Sequence, residues 1–262
     1  MNKQSNFSKL NNMSKVITLS NHKGGVGKTT STINIGAALH RQGKHVLLID
    51  LDPQANLTQS LRLITDDIKH TIYGAIRGTA PLKPISVAEG FDVIPSTLDL
   101  SGAEIELSGE TGREYILKEL LESVRPRYDF ILIDSPPSLG LLTLNALTAS
   151  DEVLIPLQAE YLATQGLSKL LEVVDKIQKR LNKSLSIGGV FITQYDGRKV
   201  LNRNVVDAVG VRFSQYMLQT KIRDNVALAE SPAAGLDIFR YSPKSNGADD
   251  YTALAVEILS KQ

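Results

Sequence analysis

The sequence predicts an α/β fold, a doubly wound and mostly parallel β-sheet with helices on both faces. Two features indicate this fold. The apolar runs that are typical of strands are short and do not alternate with polar residues, as expected for parallel strands buried on both faces. These runs also alternate along the chain with segments of helical period, which is the order of strand–helix–strand units. Ligands of such sheets bind beyond the carboxyl ends of the strands, so functional residues are expected there.

Each predicted strand combines β-branched and apolar residues and ends at a polar or glycine-containing turn. The predicted strands are 15–20 (KVITLS), 45–50 (HVLLID), 91–96 (FDVIPS), 128–134 (YDFILID), 151–157 (DEVLIPL) and 186–193 (SIGGVFIT). The predicted helices repeat apolar residues three and four positions apart, and they are 29–43, 111–124, 161–181, 201–216 and 248–262. Gly43 is predicted to end the first helix, because glycine readily adopts the left-handed conformation found after many helix ends.

Length and composition bound the class of protein. A chain of 262 residues suits one large α/β domain, which we place at residues 15–262. Residues 1–14 are rich in Asn, Ser and Lys, lack the apolar stretch of a signal peptide, and are predicted to be a disordered extension. The sequence has no cysteine, which excludes disulfides and thiolate metal sites. No run of about 18 apolar residues predicts a transmembrane helix, and we expect a cytoplasmic protein.

A glycine-rich loop, SNHKGGVGKTT at 20–30, lies between a predicted strand and a predicted helix. It ends like the phosphate-binding pattern G-x-x-x-x-G-K-S/T but has His22 in place of the first glycine. Its glycines let backbone N–H groups approach phosphate oxygens, and the helix N-terminus adds positive potential. Lys28 would reach the β- and γ-phosphates, and Thr29 would offer its hydroxyl to Mg²⁺. The alternative is a glycine-rich turn with an unrelated lysine. The predicted nucleotide-binding residues of this loop are Gly24, Gly25, Val26, Gly27, Lys28, Thr29 and Thr30.

Three aspartates follow apolar strands at the same predicted edge of the sheet. Asp134 ends the run FILID, which fits a Walker B strand whose carboxylate holds Mg²⁺ directly or through water. Asp50 and Asp52 are two residues apart at a strand end, so on an extended strand their side chains would point the same way. One would support the metal and the other would position an attacking water. The alternative is a plain turn, which Asp-Pro often begins.

These motifs together resemble the ParA/Soj branch of the ParA/MinD ATPases. The resemblance rests on KGGVGKTT, LLIDLDPQANLT, FILIDSPPSLGLLTLNAL and IRDNVALAESPAAG, and it runs from about residue 15 to the end of the chain. Members of the family carry a deviant Walker A loop with a signature lysine, which Lys23 matches. The resemblance implies that two protomers enclose two ATP molecules and that Lys23 binds and acts on the nucleotide of the partner, as an arginine finger does in other NTPases.

The resemblance also implies roles for four further residues. Asp52 would orient the hydrolytic water, and Asp134 would be the Walker B carboxylate. Arg223 and Asn225 match the region that contacts the adenine, although many relatives have a proline where Arg223 stands. The sequence lacks an Asn-Lys-x-Asp box, so adenine is favoured over guanine. The implied cofactors are therefore ATP and Mg²⁺.

Other branches of the family fit less well. MinD-type relatives end in a basic amphipathic membrane helix, whereas the polar residues of 248–262 include three acidic residues and one lysine, so a core-packing helix and no membrane binding are predicted. The nitrogenase iron-protein branch needs cysteines. The larger plasmid partition proteins have a DNA-binding domain before the loop, and here the first strand begins near Val16.

The charge of the chain is uneven although its net charge is only +1. Ten basic and two acidic residues lie between Lys176 and Arg223, and Arg198, Lys199 and Arg203 cluster after a predicted strand. Residues here and near Arg223 touch the DNA backbone in the family, and such contacts explain sequence-independent, salt-sensitive binding. These four are the predicted DNA-binding residues. A solvated surface is the alternative, because it is the usual explanation of a charge run.

The predicted function is ATP-dependent segregation of a chromosome or plasmid. ATP would close a homodimer that binds double-stranded DNA of any sequence, and the protein would then be associated with the nucleoid. A ParB-like centromere-binding partner would stimulate an otherwise slow hydrolysis and release the dimer. The alternative is a ParA-like ATPase that positions a cargo other than DNA.

Overall fold

The structure, a computed structural model, describes residues 14–63, 70–160 and 163–261. Residues 1–13 of the predicted extension, the first two residues of the predicted helix 161–181 and the last residue of the predicted helix 248–262 lie outside the described residues. The strands are β1 (Lys15–Leu19), β2 (Val46–Asp50), β3 (Ile85–Ala88), β4 (Phe91–Ile94), β5 (Phe130–Asp134), β6 (Glu152–Gln158), β7 (Ser186–Tyr195) and β8 (Met217–Arg223). The helices are α1 (Lys28–Arg41), α2 (Asn56–Ser60), α3 (Ile72–Ile76), α4 (Ala103–Glu106), α5 (Ile116–Glu122), α6 (Leu141–Ala149), α7 (Ala163–Arg180), α8 (Val200–Phe213), α9 (Val226–Ala234), α10 (Ile238–Tyr241) and α11 (Asn246–Ser260).

The strands of the described residues form one eight-stranded sheet in the order β3-β4-β2-β5-β1-β6-β7-β8. Neighbouring strands run parallel except β3, which pairs antiparallel with β4 at one edge. The register places Leu19 of β1 beside Asp134 of β5, and Asp50 of β2 beside the same aspartate. The functional candidates at the ends of these strands are therefore neighbours. The predicted doubly wound, mostly parallel fold is confirmed.

Helices cover both faces of the sheet and thereby bury the side chains of each central strand on both sides. Helices α1, α2, α9, α10 and α11 pack on one face, where Ile17, Leu48 and Leu132 lie in the core. Helices α3 to α8 pack on the other face, against Ile131 and Val153 among others. The nearly continuous burial of β2 and β5 agrees with the absence of alternation in their sequences.

Helix α1 lies close to the sheet and carries the glycine-rich loop at its N-terminus. A Cβ atom at Gly36 would come within 2.6 Å of the Leu48 side chain, so the close packing of α1 on β2 requires glycine there. Gly43, with φ 79°, follows the end of α1 as predicted, and its N–H donates to the His40 carbonyl at 2.9 Å. The packing of α1 thus fixes where the loop meets the strand ends.

Several elements differ from the expectation, and six helices of the described residues were not among those predicted: α2, α3, α4, α6, α9 and α10. Strand β8 was missed because its buried residues Leu218 and Ile222 are separated by polar ones, unlike the continuous apolar runs of the other strands. Helix α5 is shorter than the predicted 111–124, since Gly112 takes φ 74° in a turn before it. The short edge strand β3 was also missed. Helix α11 buries Tyr251 in the core as predicted, and no helix in the described ranges is long and apolar enough to span a membrane.

Candidate nucleotide site

The glycine-rich loop joins β1 to α1 and has the conformation of an anion-binding loop. Gly25 and Gly27 adopt left-handed backbone angles, φ 75° and 85°. A Cβ atom at Gly24 or Gly25 would meet open space, so the loop leaves room for a ligand beside its backbone. The Asn21 side chain anchors the start of the loop, donating to the Pro156 carbonyl at 2.8 Å and accepting from the Lys23 N–H at 3.1 Å. Successive N–H groups in such a loop form a cradle for phosphate.

Lys28 begins α1 inside this cradle. Its side chain is buried, and its Nζ donates to the Lys23 carbonyl at 3.4 Å. Burial lowers the pKa of Lys28, while the charges of Asp134 and Asp52 act in the opposite direction. A buried cation at a helix N-terminus is an arrangement that favours binding of a multiply charged anion.

Asp134 ends β5 beside the helix that carries Lys28. Its Oδ2 accepts a hydrogen bond from the Thr29 hydroxyl at 2.6 Å, and it is fully buried. Its Oδ1 has no hydrogen-bond partner among the described residues. Burial, followed by the charge of Asp50, raises the pKa of Asp134 to about 8. An unpaired buried carboxylate oxygen beside a threonine hydroxyl fits Mg²⁺, which proteins bind through one or two carboxylates together with phosphate oxygens and water.

Asp50 and Asp52 have different surroundings, although they follow the same strand. Asp50 is fully buried, and its Oδ2 accepts from the N–H and the hydroxyl of Thr58, at 2.9 and 2.6 Å. Burial raises the pKa of Asp50 to about 6. Asp52 is 7% exposed, and its Oδ1 accepts from the Gln54 N–H at 2.9 Å, which forms the turn weighed as the alternative. Asp50 therefore anchors α2, whereas Asp52 closes the turn that follows β2.

Lys23 lies on the outer side of the same loop. Its ammonium group forms an ion pair with Glu160, which follows β6, and both side chains are nearly half exposed. Nothing in the sequence indicates Glu160, because the two residues are 137 positions apart. Lys23 therefore does not share the cradle with Lys28, and it faces the surface.

Arg223 and Asn225 line a cavity of about 320 Å³ together with Gly27, Thr30 and Tyr251. Both side chains already make hydrogen bonds within the protein. The Arg223 guanidinium pairs with Asp250 of α11 at 2.6 Å, and Asn225 caps α9 by accepting from the Ala227 N–H at 2.9 Å. The cavity lies beside the glycine-rich loop, where a base would follow the phosphates. Sequence reasoning missed Asp250, whose link to Arg223 depends on the packing of α11 against β8.

The predicted DNA-binding residues lie at the carboxyl ends of β7 and β8. Arg198 and Lys199 are ion-paired with Asp196 at 2.9 and 3.9 Å, and these bonds lower the pKa of Asp196 to about 2. Arg203 donates to the Gly197 carbonyl at 2.7 Å. The register of β7 and β8 places Arg223 beside Tyr195, near this basic loop. The structure therefore brings the four predicted residues to one end of the sheet, and Asp196 offsets one of their charges.

The parallel sheet, the left-handed glycines of the loop and the Thr29–Asp134 pair at the neighbouring strand define a P-loop NTPase fold. Residues 14–187 match the family described as AAA domain. The sporulation initiation inhibitor protein Soj of Bacillus subtilis (strain 168) is 47% identical over 251 residues, which cover 95% of this chain and 99% of that protein. The chromosome-partitioning ATPase Soj of Treponema pallidum (strain Nichols) is 46% identical over 252 residues, covering 95% of this chain and 98% of that protein. The chain belongs to the ParA/MinD family of ATPases, in agreement with its Soj- and ParA-like motifs.

A solved structure supports the same fold. Cobyrinic acid a,c-diamide synthase from Mycobacterium smegmatis, with bound ADP and magnesium, is 37% identical, has a TM-score of 0.83, and covers 94% of each chain. Its name describes another activity than partition. Since one fold can carry several activities, the function of the present chain has to be argued from its own site.

Proposed function

We propose that the protein is a Mg²⁺-dependent ATPase that segregates DNA by switching between a monomer and an ATP-bound dimer. The observation that carries the catalytic part is the pairing of Thr29 with Asp134 beside the buried Lys28. The two relatives with Soj in their names support a role in chromosome partition. The structural neighbour with ADP and magnesium supports the assignment of both ligands.

Different residues of the site would bind the phosphates, the adenosine, the metal ion and the attacking water. Lys28 and the loop N–H groups would bind the phosphates, and the cavity beside Asn225 would take the adenosine. Thr29 and Asp134 would hold Mg²⁺, which supplies charge stabilisation on the phosphates when bound. Asp52, at the rim of the cradle, would orient the attacking water. We expect slow hydrolysis by the dimer without its ParB-like partner, and none by a single protomer, whose site lacks the Lys23 of a second chain.

The exposed position of Lys23 supports the dimer. A lysine that points away from its own cradle is free to enter a facing site once the Glu160 ion pair opens. That pair is nearly half exposed, and such pairs contribute only about 0–1 kcal/mol, so opening it costs little. Two copies of this chain would then complete each other's active sites, and ATP would control the association.

DNA binding is supported by the basic loop. Arg198, Lys199 and Arg203 are on one end of the sheet with Arg223, and dimerisation would double the number of phosphate contacts. Contacts to phosphate alone give binding without sequence preference. The dimer would therefore be associated with the nucleoid in the cytoplasm, and a ParB-like partner would stimulate hydrolysis and release it.

The test is ATP hydrolysis and ATP binding by the purified protein with and without Mg²⁺. We expect hydrolysis only with Mg²⁺, and no ATP binding by Lys28→Ala, because the cradle then loses its buried cation. Lys118→Ala, on the exposed surface of α5, removes the same charge elsewhere and should leave both measurements unchanged. Normal ATP binding by Lys28→Ala would contradict the proposed site. If the wild-type dimer forms with ATP but binds no DNA at low salt, the cargo-positioning alternative becomes the better function.

A further inference from the structure

The glycine-rich loop is held from outside by the end of strand β7. The Thr193 hydroxyl donates to the Val26 carbonyl at 2.8 Å, and the Gln194 Nε2 donates to the Gly25 carbonyl at 2.9 Å. Two successive peptide groups of the loop are thus fixed by two successive residues of another element, 167 and 169 positions away. Both side chains also line the cavity beside the loop.

These contacts set the direction of the N–H groups that a phosphate would meet. In a planar trans peptide the C=O and the N–H point in opposite directions. Binding the carbonyls of Gly25 and Val26 on the β7 side therefore turns the N–H groups of Val26 and Gly27 to the opposite side. Within the part of the chain that the structure describes, no hydrogen bond uses either N–H. Glycine permits a wide range of backbone angles, so Gly25 and Gly27 alone would not hold these peptides in one orientation.

Gln194 takes an unfavourable backbone conformation in making this contact. Its φ of 51° is left-handed, which is uncommon for a residue other than glycine and occurs mostly where the surroundings enforce it. Its amide orientation is also enforced. Because the Gly25 carbonyl only accepts hydrogen bonds, the Gln194 nitrogen has to face it, and the Gln194 oxygen then accepts from Gln158 Nε2 at 2.6 Å. In the hydrogen-bond series Gln158–Gln194–Gly25, each residue therefore donates to the next.

We propose that Thr193 and Gln194 are positioning residues for nucleotide binding. They hold the Gly25 and Val26 peptides so that the loop N–H groups face the phosphates before the nucleotide arrives. This inference rests on the proposed nucleotide site and adds two residues to it that the phosphate-binding pattern does not contain. Their role is to preorganise the cradle, and neither side chain is expected to touch the reacting atoms.

The experiment measures ADP affinity by calorimetry, and the melting temperature of the nucleotide-free protein, for Thr193→Val and Gln194→Met. Each substitution keeps the size of the side chain and removes one hydrogen bond to the loop. We expect each to weaken ADP binding about fivefold, the effect of one typical hydrogen bond. Thr193→Ser, which keeps the hydroxyl, should restore the affinity. Because the ligand-free protein makes these bonds too, its melting temperature should fall, but by no more than about 2–4 °C, the contribution of one hydrogen bond in a chain of this size.

Two matched controls remove the same groups elsewhere. Gln219→Met changes an exposed side chain of β8, and Thr252→Val removes a hydroxyl that bonds within α11. Both should bind ADP like the wild type. Unchanged ADP affinity in both β7 variants would overturn the inference alone. The inference would also be overturned if Thr193→Ser did not restore the ADP affinity and if the loss of affinity accompanied a fall in melting temperature larger than one hydrogen bond explains. A wild-type protein that binds no ADP would instead overturn the proposed function, and the inference with it.

Discussion

Lys23 and Lys28 are five residues apart in one loop, yet their environments are opposite. Lys28 is buried at the start of α1 with a lowered pKa, because desolvation disfavours its charge. Lys23 is nearly half exposed and paired with Glu160. A buried cation suits a ligand bound by its own chain, whereas an exposed one suits a ligand presented by another chain. Replacing each of the two lysines is therefore expected to impair a different step, nucleotide binding for Lys28 and dimerisation for Lys23.

Lys23→Ala should retain ATP binding but lose ATP-dependent dimerisation and hydrolysis, because the facing site then lacks its cation. Sedimentation velocity with ATP and Mg²⁺, beside nucleotide titration, measures both properties. Glu160→Gln serves as the matched variant, since it releases Lys23 without removing it. We expect it to dimerise at least as well as the wild type, and up to about fivefold more tightly given the strength of exposed ion pairs. A Lys23→Ala protein that dimerises and hydrolyses normally would exclude the role in trans.

Asp52→Ala should bind ATP and dimerise but not hydrolyse ATP, because the phosphate cradle is intact while nothing orients the attacking water. Gel filtration with ATP and Mg²⁺ should show a long-lived dimer. A variant that binds ATP and stays monomeric would show instead that Asp52 serves assembly.

Asp50→Ala provides the contrast to Asp52→Ala, since it should mainly destabilise the fold. It leaves the buried Thr58 N–H and hydroxyl without their acceptor, at a cost of about 1–3 kcal/mol. Thermal denaturation without nucleotide distinguishes the two aspartates. A wild-type melting temperature for Asp50→Ala would show that the bond to Thr58 contributes little.

At the level of elements, the loop between β7 and α8, together with the first turn of α8, combines three basic residues with one acidic residue. Asp196 is only 13% exposed at its side chain and orients Arg198, so the loop presents its charges in a fixed arrangement. The same strand, β7, holds the glycine-rich loop through Thr193 and Gln194. The basic surface and the nucleotide site are thus at two sides of one strand end. This arrangement places any DNA bound there close to the nucleotide.

Replacing Arg198, Lys199 and Arg203 by alanine should weaken binding of the ATP-bound dimer to all duplexes alike. The slope of affinity against salt should fall by roughly one unit for each DNA phosphate that the variant no longer binds. The control replaces Lys176, Lys179 and Arg180 of α7, which removes the same charge from the same basic segment. Fluorescence anisotropy on two unrelated duplexes across a salt series measures both. Equal affinity of the first variant and the wild type would mean that the basic loop is only a solvated surface.

At the scale of the whole molecule, the buried carboxyls of the site should reduce the stability of the ligand-free fold above pH 4. Asp134 is buried with its pKa raised from 3.8 to about 8, and Asp50 with its pKa raised to about 6. A raised pKa of an acid means that the folded state prefers the protonated form. The stability that these groups contribute is complete below their unfolded pKa and is lost as the pH rises through the folded pKa. The ligand-free protein should therefore lose stability between about pH 4 and pH 8 from these two carboxyls.

Asp134→Asn tests this loss directly. The amide cannot ionise, so the ligand-free variant should melt above the wild type at pH 8, and the difference should shrink toward pH 5. For a chain of this size each kcal/mol corresponds to about 2–4 °C, and we expect an increase of at least that size. The same variant should lose the stabilisation that ATP with Mg²⁺ gives to the wild type. A lower melting temperature than the wild type at pH 8 would contradict the prediction.

The sequence by itself determined the parts that depend on neighbours along the chain. The glycine-rich loop, Lys28, Thr29 and Asp134 could be located because a strand, a turn and a helix start have local patterns. The parallel sheet followed from continuous apolar runs, and helix α11 was correctly placed in the core. Strand β8 was not predicted, because polar residues separate its two buried residues and its pattern therefore differs from that of the central strands.

Only the tertiary structure decided which side chains meet. Glu160 faces Lys23, and Asp250 holds Arg223, through contacts 137 and 27 positions apart. Thr193 and Gln194 reach the loop from β7, and the different hydrogen-bond partners of Asp50 and Asp52 depend on where α2 begins. Hydrogen bonds and ion pairs act over a few ångströms, and they form between residues that are close in space whatever their separation in the sequence. Their partners are therefore fixed by how the strands and helices pack, which local residue patterns do not encode.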